Sequence, residues 1–124
     1  MARKPQRPPS TPKTPPALPP PVGTDRDKIV AAFMALLAES LARAGAAAGL
    51  PADLAARLAS ATVAGSGELL HQSPLDAATL RQNVTSPGGT TEAALAVLMD
   101  DDGLDRLMER AVAAATKRSR ELAG

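Results

Sequence analysis

The residues of this chain best placed to do chemistry lie in Thr85-Ser86-Pro87-Gly88-Gly89-Thr90-Thr91. Two adjacent glycines let backbone N–H groups approach a ligand unhindered by side chains. A helix is expected to begin at Thr90 or Thr91. The unpaired amides and the dipole at a helix start together favour an anion. Pro87 stiffens the approach, while Ser86, Thr90 and Thr91 offer three hydroxyls. The segment holds neither an acid nor a base, so a hydrolytic centre is not expected there. On residue types alone, the same run also reads as an ordinary helix-to-helix turn.

Two other groupings carry less. Asp100, Asp102, Gly103 and Glu109 stand at offsets like those of a calcium loop, but the position of the obligatory first acid is Leu98. That leucine belongs to the core side of the preceding helix, so a structural interruption is the expectation. His71 is the only histidine. Without a second histidine or any cysteine nearby it reads as a cap or surface residue at a helix end, not a ligand.

The elements that position these residues are helices. Thr24 with Asp27 approximates a capping box. Ile29, Phe33, Leu36, Leu37 and Leu41 then recur at helical spacing, and Gly45 or Gly49 is the natural stop. Pro51 suits the first position of a second helix with Leu54, Leu58, Ala61 and Leu69 on one face. Gly65 and Gly67 fall inside that helix, as a weak point or as a place where another helix approaches closely. Ser73-Pro74-Leu75-Asp76 predicts the start of a short third helix, with Ser73 as cap, running to about Gln82. A fourth helix carries Ala94, Leu95, Leu98 and Met99. After Asp100-Asp101-Asp102-Gly103, a last helix presents Leu104, Leu107, Met108, Ala111, Val112 and Ala115. Lys117, Arg118 and Arg120 suit its negative end. No alternating strand pattern and no internal repeat occurs. The expected class is all-α, a bundle of about five helices over residues 25–124.

Composition narrows the functional classes. Apolar residues make up 44% of the 124, but 27 of them are alanine and Phe33 is the only aromatic. Alanine makes helices readily yet buries little surface, so packing against a second copy is an attractive solution. Cysteine is absent, which excludes disulfides and zinc–thiolate sites in this chain. The apolar stretch Ile29–Ala38 ends at Glu39 and reads as too short to cross a bilayer. The N-terminus has no apolar run like that of a secretory signal. A soluble, cytoplasmic protein without a membrane partner is expected.

The net charge of +1 hides an asymmetry. Residues 1–24 carry Arg3, Lys4, Arg7 and Lys13 and no acid, while the remainder carries ten basic and thirteen acidic residues. A nucleic-acid partner would need a basic face on the helical part, and none is expected. Nine of the twelve prolines lie in residues 1–24, which predicts a disordered, polyproline-leaning tail. It reads as a solvated tail, as a ligand for a groove-type domain, or as sequence foreign to the rest.

The run Leu80-Arg81-Gln82-Asn83-Val84-Thr85-Ser86-Pro87-Gly88-Gly89-Thr90-Thr91, with Ala94, Leu95 and Leu98 after it, resembles the signature of pyrroline-5-carboxylate reductases. Gly49-Leu50-Pro51 with Leu54-Ala55-Ala56-Arg57-Leu58-Ala59 is similar to that family's turn between bundle helices. Ala111 to Leu122 is similar to its final helix. The likeness runs from about Ala35 to Gly124. It implies reduction of 1-pyrroline-5-carboxylate to L-proline with hydride from NADPH or NADH, in a homodimer interlocked through this helical domain. It also implies that Ser86, Gly88, Gly89, Thr90 and Thr91 bind substrate. The amides of Gly89 and Thr90 would take its carboxylate, and the Thr91 hydroxyl would meet the imine nitrogen as the catalytic contact.

The departures from the family are equally definite. No G-x-G-x-x-G occurs in the 124 residues, and Gly65-Ser66-Gly67 lies within helix-like sequence. The family's serine- and glycine-rich segment ahead of the first bundle helix is replaced by Pro19-Pro20-Pro21-Val22-Gly23-Thr24. The expectation is therefore a reductase fragment, truncated or frame-disrupted, that binds nucleotide poorly and turns over little alone. The alternative is a non-catalytic helical module that pairs with full-length reductase subunits. A weaker one is an adaptor acting through its proline-rich tail.

Overall fold

The computed structural model describes residues 25–124, and the expected tail and the Thr24 cap lie outside them. Five α-helices follow one another: α1 Asp25–Ala47, α2 Ala52–Gln72, α3 Ala77–Asn83, α4 Thr90–Leu98 and α5 Leu104–Ala123. No strand occurs among the described residues, so the chain is all-α as its sequence predicts. They fall into two compact units, one ending at Leu75 and the other spanning Asp76–Gly124.

In the first unit, α1 and α2 form a helical hairpin. Gly49 is the stop for α1, with φ of +107°, a conformation only glycine adopts freely. Its amide donates to the Ala46 carbonyl at 3.0 Å and the Leu50 amide to that of Gly45 at 3.1 Å, the paired bonds of a Schellman cap. Gly45 lies within α1's last turn. Pro51 falls one step outside α2 as its N-cap, not at the first helical position, because ψ of 139° keeps it extended. Its carbonyl still accepts the first bond of the helix, from the Ala55 amide at 2.9 Å.

The seam between these helices differs from the leucine faces that periodicity predicts. Ala55 and Ala59 are the two buried residues of α2, and Leu54 and Leu58 are exposed. Opposite them, Phe33, Ala38, Ala42 and Gly45 are half-buried, whereas Leu36, Leu37 and Leu41 are exposed. A Cβ added at Gly45 would lie 3.4 Å from the Ala55 side chain. Small residues thus let the backbones approach closely, and the leucines are turned outward. α2 runs through Gly65 and Gly67 without interruption, and beyond the helix's own backbone nothing lies within 4 Å of a Cβ placed on either.

The helical form also revises the membrane arithmetic. As one helix, Lys28–Ala47 gives 20 residues, long and apolar enough by length and composition to cross a membrane, with none of that stretch buried. That stretch includes Glu39 and Arg43, which pair one turn apart at 3.4 Å with both side chains exposed.

In the second unit the start of α3 moves from its expected place. Ser73 is the C-terminal cap of α2, its amide bonded to the Leu69 carbonyl at 2.9 Å. The Ser73 hydroxyl accepts from the Leu75 amide at 3.1 Å. The N-cap of α3 is Asp76, whose Oδ1 accepts from the Thr79 amide at 2.7 Å. Ser73 is already committed to ending one helix, so the acid three residues on begins the next, and Pro74 lies between them. The turn before α5 is tight. The Gly103 amide donates to the Asp100 carbonyl at 2.8 Å, and a Cβ at Gly103 would stand 2.7 Å from that oxygen and closer still to the Leu98 carbonyl. No residue of this unit is buried.

Candidate functional site

The loop from Val84 to Gly89 is held by bonds that its own sequence supplies. The Thr85 hydroxyl donates to the Arg81 carbonyl at 2.6 Å, the back-bond that a threonine makes to the residue four earlier. The Thr85 amide donates to the Gln82 carbonyl at 3.1 Å. Arg81, at the end of α3, also places a guanidinium N–H 3.1 Å from the Met99 sulfur at the end of α4. The loop's first residues are therefore continuous with α3, and Arg81 ties that helix to α4.

Ser86-Pro87-Gly88-Gly89 forms a β-turn closed by the Gly89 amide on the Ser86 carbonyl at 3.0 Å. Proline second and glycine third, with Gly88 at φ of +70°, match a type II turn. This corrects one expectation. The Gly89 amide is spent on the turn and does not point free toward a ligand. The Gly88 amide donates to the Glu92 carboxylate. Glu92 is the third residue of α4, the position from which an acid normally returns to the N-cap amide. Here the N-cap is Gly89, whose amide the turn has taken, and the carboxylate reaches one residue further back.

Three donors remain open. The amides of Thr90, Thr91 and Glu92 open α4, the first intrahelical bond being made by the Ala93 amide to the Gly89 carbonyl at 3.2 Å. No side chain caps this helix start. The hydroxyl-bearing Ser86, Thr90 and Thr91 are exposed around it, and Gly89 is half-buried. All five expected ligand-binding residues, Ser86, Gly88, Gly89, Thr90 and Thr91, therefore belong to one turn and one helix start. The arrangement can take a small anion on two adjacent amides with hydroxyls beside it.

Arg81 and Glu92 were not among the expected site residues, and Thr85 stood at the edge of the expected segment without an assigned role. The signal for two of them lay in spacing: Thr85 four residues after Arg81, and Glu92 three after Gly89. Elsewhere, His71 is half-buried in the last turn of α2 without a side-chain hydrogen bond to the carbonyls it was expected to cap. Asp100, Asp101 and Asp102 are exposed in the turn between α4 and α5. No group of three or more potential ligands for a metal occurs among the described residues. Among the described residues there is neither a strand nor a strand-to-helix glycine turn of the kind that cradles a dinucleotide.

Comparison with known proteins places the same segment in a family. Residues 29–122 match the family model described as pyrroline-5-carboxylate reductase dimerisation. A pyrroline-5-carboxylate reductase of Synechocystis is 45% identical over 91 residues, covering 73% of this chain and 34% of the relative. Reductases of Pseudomonas aeruginosa and Glycine max are 44% and 45% identical over 62 and 64 residues, which cover 50% and 52% of this chain. The chain spans only 22% and 23% of those two relatives' lengths. With the match running from Ile29 through the Gly88-Gly89 turn to Leu122, this chain belongs to the pyrroline-5-carboxylate reductase family, through its dimerisation domain.

Proposed function

We propose that this chain supplies the dimerisation and substrate-binding part of a pyrroline-5-carboxylate reductase. Residues 25–124 act as one helical domain that pairs with a second copy and holds 1-pyrroline-5-carboxylate, or the product L-proline, at the start of α4. The open amides of Thr90 and Thr91 take the carboxylate, with the Ser86 hydroxyl beside it. The Thr91 hydroxyl hydrogen-bonds the ring nitrogen. Gly88 and Gly89 contribute the turn that keeps side chains away. The observation that carries this reading is the uncapped start of α4 within the family's own motif. A flat carboxylate suits two adjacent amides, and the reaction needs positioning more than a local base.

Self-association accounts for the outward leucines. Leu36, Leu54, Leu58 and Leu69 in the first unit, and Leu107, Val112 and Leu122 in the second, each remain between 37% and 71% exposed. A second copy would cover such surface, and on this reading α1 is a helix of the dimer core and not of a membrane. The hydride donor, NADPH or NADH in the family, would be held by residues other than 25–124.

The test is a titration of the full, isotope-labelled chain with L-proline. Selective shifts of the Thr90 and Thr91 amide resonances are expected, and unmoved resonances at millimolar proline would refute the site. The same protein assayed for pyrroline-5-carboxylate-dependent NADPH oxidation is expected to turn over little. A second reading, a non-catalytic module that pairs with full-length reductase subunits, draws on the same exposed helices. Co-expression with a full-length relative and native mass spectrometry separates the two, since an absence of mixed species counts against pairing.

A further inference from the structure

The Glu92 carboxylate stands where a negative charge has consequences for selectivity. It accepts from the Gly88 amide, on the residue that precedes the N-cap of α4. The open amides of Thr90 and Thr91 lie between Gly88 and Glu92 in the chain. A ligand carboxylate seated on those amides would share the first turn of α4 with the Glu92 carboxylate, which the Gly88 amide holds at that end of the helix. For a simple anion, that second carboxylate opposes the attraction of the helix start. A ligand carrying a cationic nitrogen next to its carboxylate gains a counter-charge in the same place.

We propose, resting on the carboxylate site described above, that Glu92 sets the charge specificity of that site. It favours a cyclic imino or amino acid whose ring nitrogen is protonated over a plain carboxylate of the same shape. The ordinary role of an acid at the third position of a helix is to cap it and to meet the dipole. Selectivity and capping are separable, because glutamine keeps an oxygen acceptor for the Gly88 amide and gives up the charge.

The experiment compares L-proline with tetrahydrofuran-2-carboxylate of the same handedness, in which an uncharged oxygen replaces the ring nitrogen. Both are titrated into the full chain at low ionic strength and followed at the Thr90 and Thr91 amides. The wild type is expected to prefer proline. In Glu92→Gln the ratio of the two affinities should fall by about two- to fivefold, the size of an exposed charge–charge effect, chiefly through tighter binding of the tetrahydrofuran carboxylate. Raising the salt concentration of the wild type should lower the ratio in the same direction, an arm that needs no variant. An unchanged ratio in both arms overturns the role of Glu92 and leaves the site standing. If neither ligand moves those amides in the wild type, the site fails and the inference goes with it.

Discussion

The Thr85 hydroxyl is bonded to the Arg81 carbonyl at 2.6 Å, so the start of the Val84–Gly89 loop is an extension of α3. Replacing Thr85 by valine keeps the shape and removes the donor. The expected loss is about 1 kcal/mol, the net worth of one such bond. Urea denaturation of the variant measures it. A midpoint equal to that of the wild type would mean that the bond does not hold the loop.

Gly88 has φ of +70° at the third position of the turn. An alanine there is strained by roughly 1–2 kcal/mol in that left-handed conformation. Gly88→Ala should therefore weaken L-proline binding several-fold while leaving overall helicity nearly intact. Calorimetric titration beside circular dichroism checks both halves of this expectation. Gly89→Ala should act in the same direction for a different reason, because its Cβ would lie 3.1 Å from the Ser86 carbonyl oxygen.

Gly103 is constrained by space, not by dihedral angle. The Leu98 and Asp100 carbonyl oxygens occupy the room that a Cβ would need, and both are backbone atoms that cannot turn aside. Gly103→Ala should cost about 1–3 kcal/mol, as overpacking does, by forcing the turn between α4 and α5 apart. The melting temperature reports the cost. Met99 and Arg81 resonances should move as well, since their contact joins the end of α3 to the residue where that turn begins.

Acid should weaken the start of α3. The Thr79 side chain, and after it the Thr79 amide, hold the Asp76 carboxyl below its usual range. The folded chain then binds that proton less readily than the unfolded one. The stabilisation is complete above about pH 4, where an unfolded aspartate is ionised, and is lost as the pH falls through the lowered folded value. Asp76→Asn keeps an acceptor for the Thr79 amide and should remove this acid sensitivity. Asp76→Ala should destabilise α3 at every pH. Helicity followed from neutral pH into acid distinguishes the three proteins.

Much of the fold was legible because its punctuation is local. Gly49 can end a helix, Asp76 can start one, and Gly103 separates two, each through a backbone property that a single residue carries. The shift of the α3 cap from Ser73 to Asp76 was less legible, for both residues are good caps and only the end of α2 decides between them. Of the α1–α2 seam only Phe33 was legible. Periodicity weights leucine, whereas the contact is made by Ala55, Ala59, Ala42 and Gly45, whose small size matters more than their hydrophobicity. In the loop, the residue types gave away a glycine-opened helix start. Which amides stay open depended on the turn, which takes up Gly89, and on Glu92, which reaches Gly88.

That alanine seam has a consequence for how the protein lives in solution. With Ala55 and Ala59 alone withdrawn from water among the described residues, a dimer that covered the leucines would gain their burial between molecules. Folding and pairing then obey mass action together, and each tenfold dilution of a two-chain species weakens it by about 1.4 kcal/mol. Its melting point is then a property of the population, set by abundance as much as by sequence.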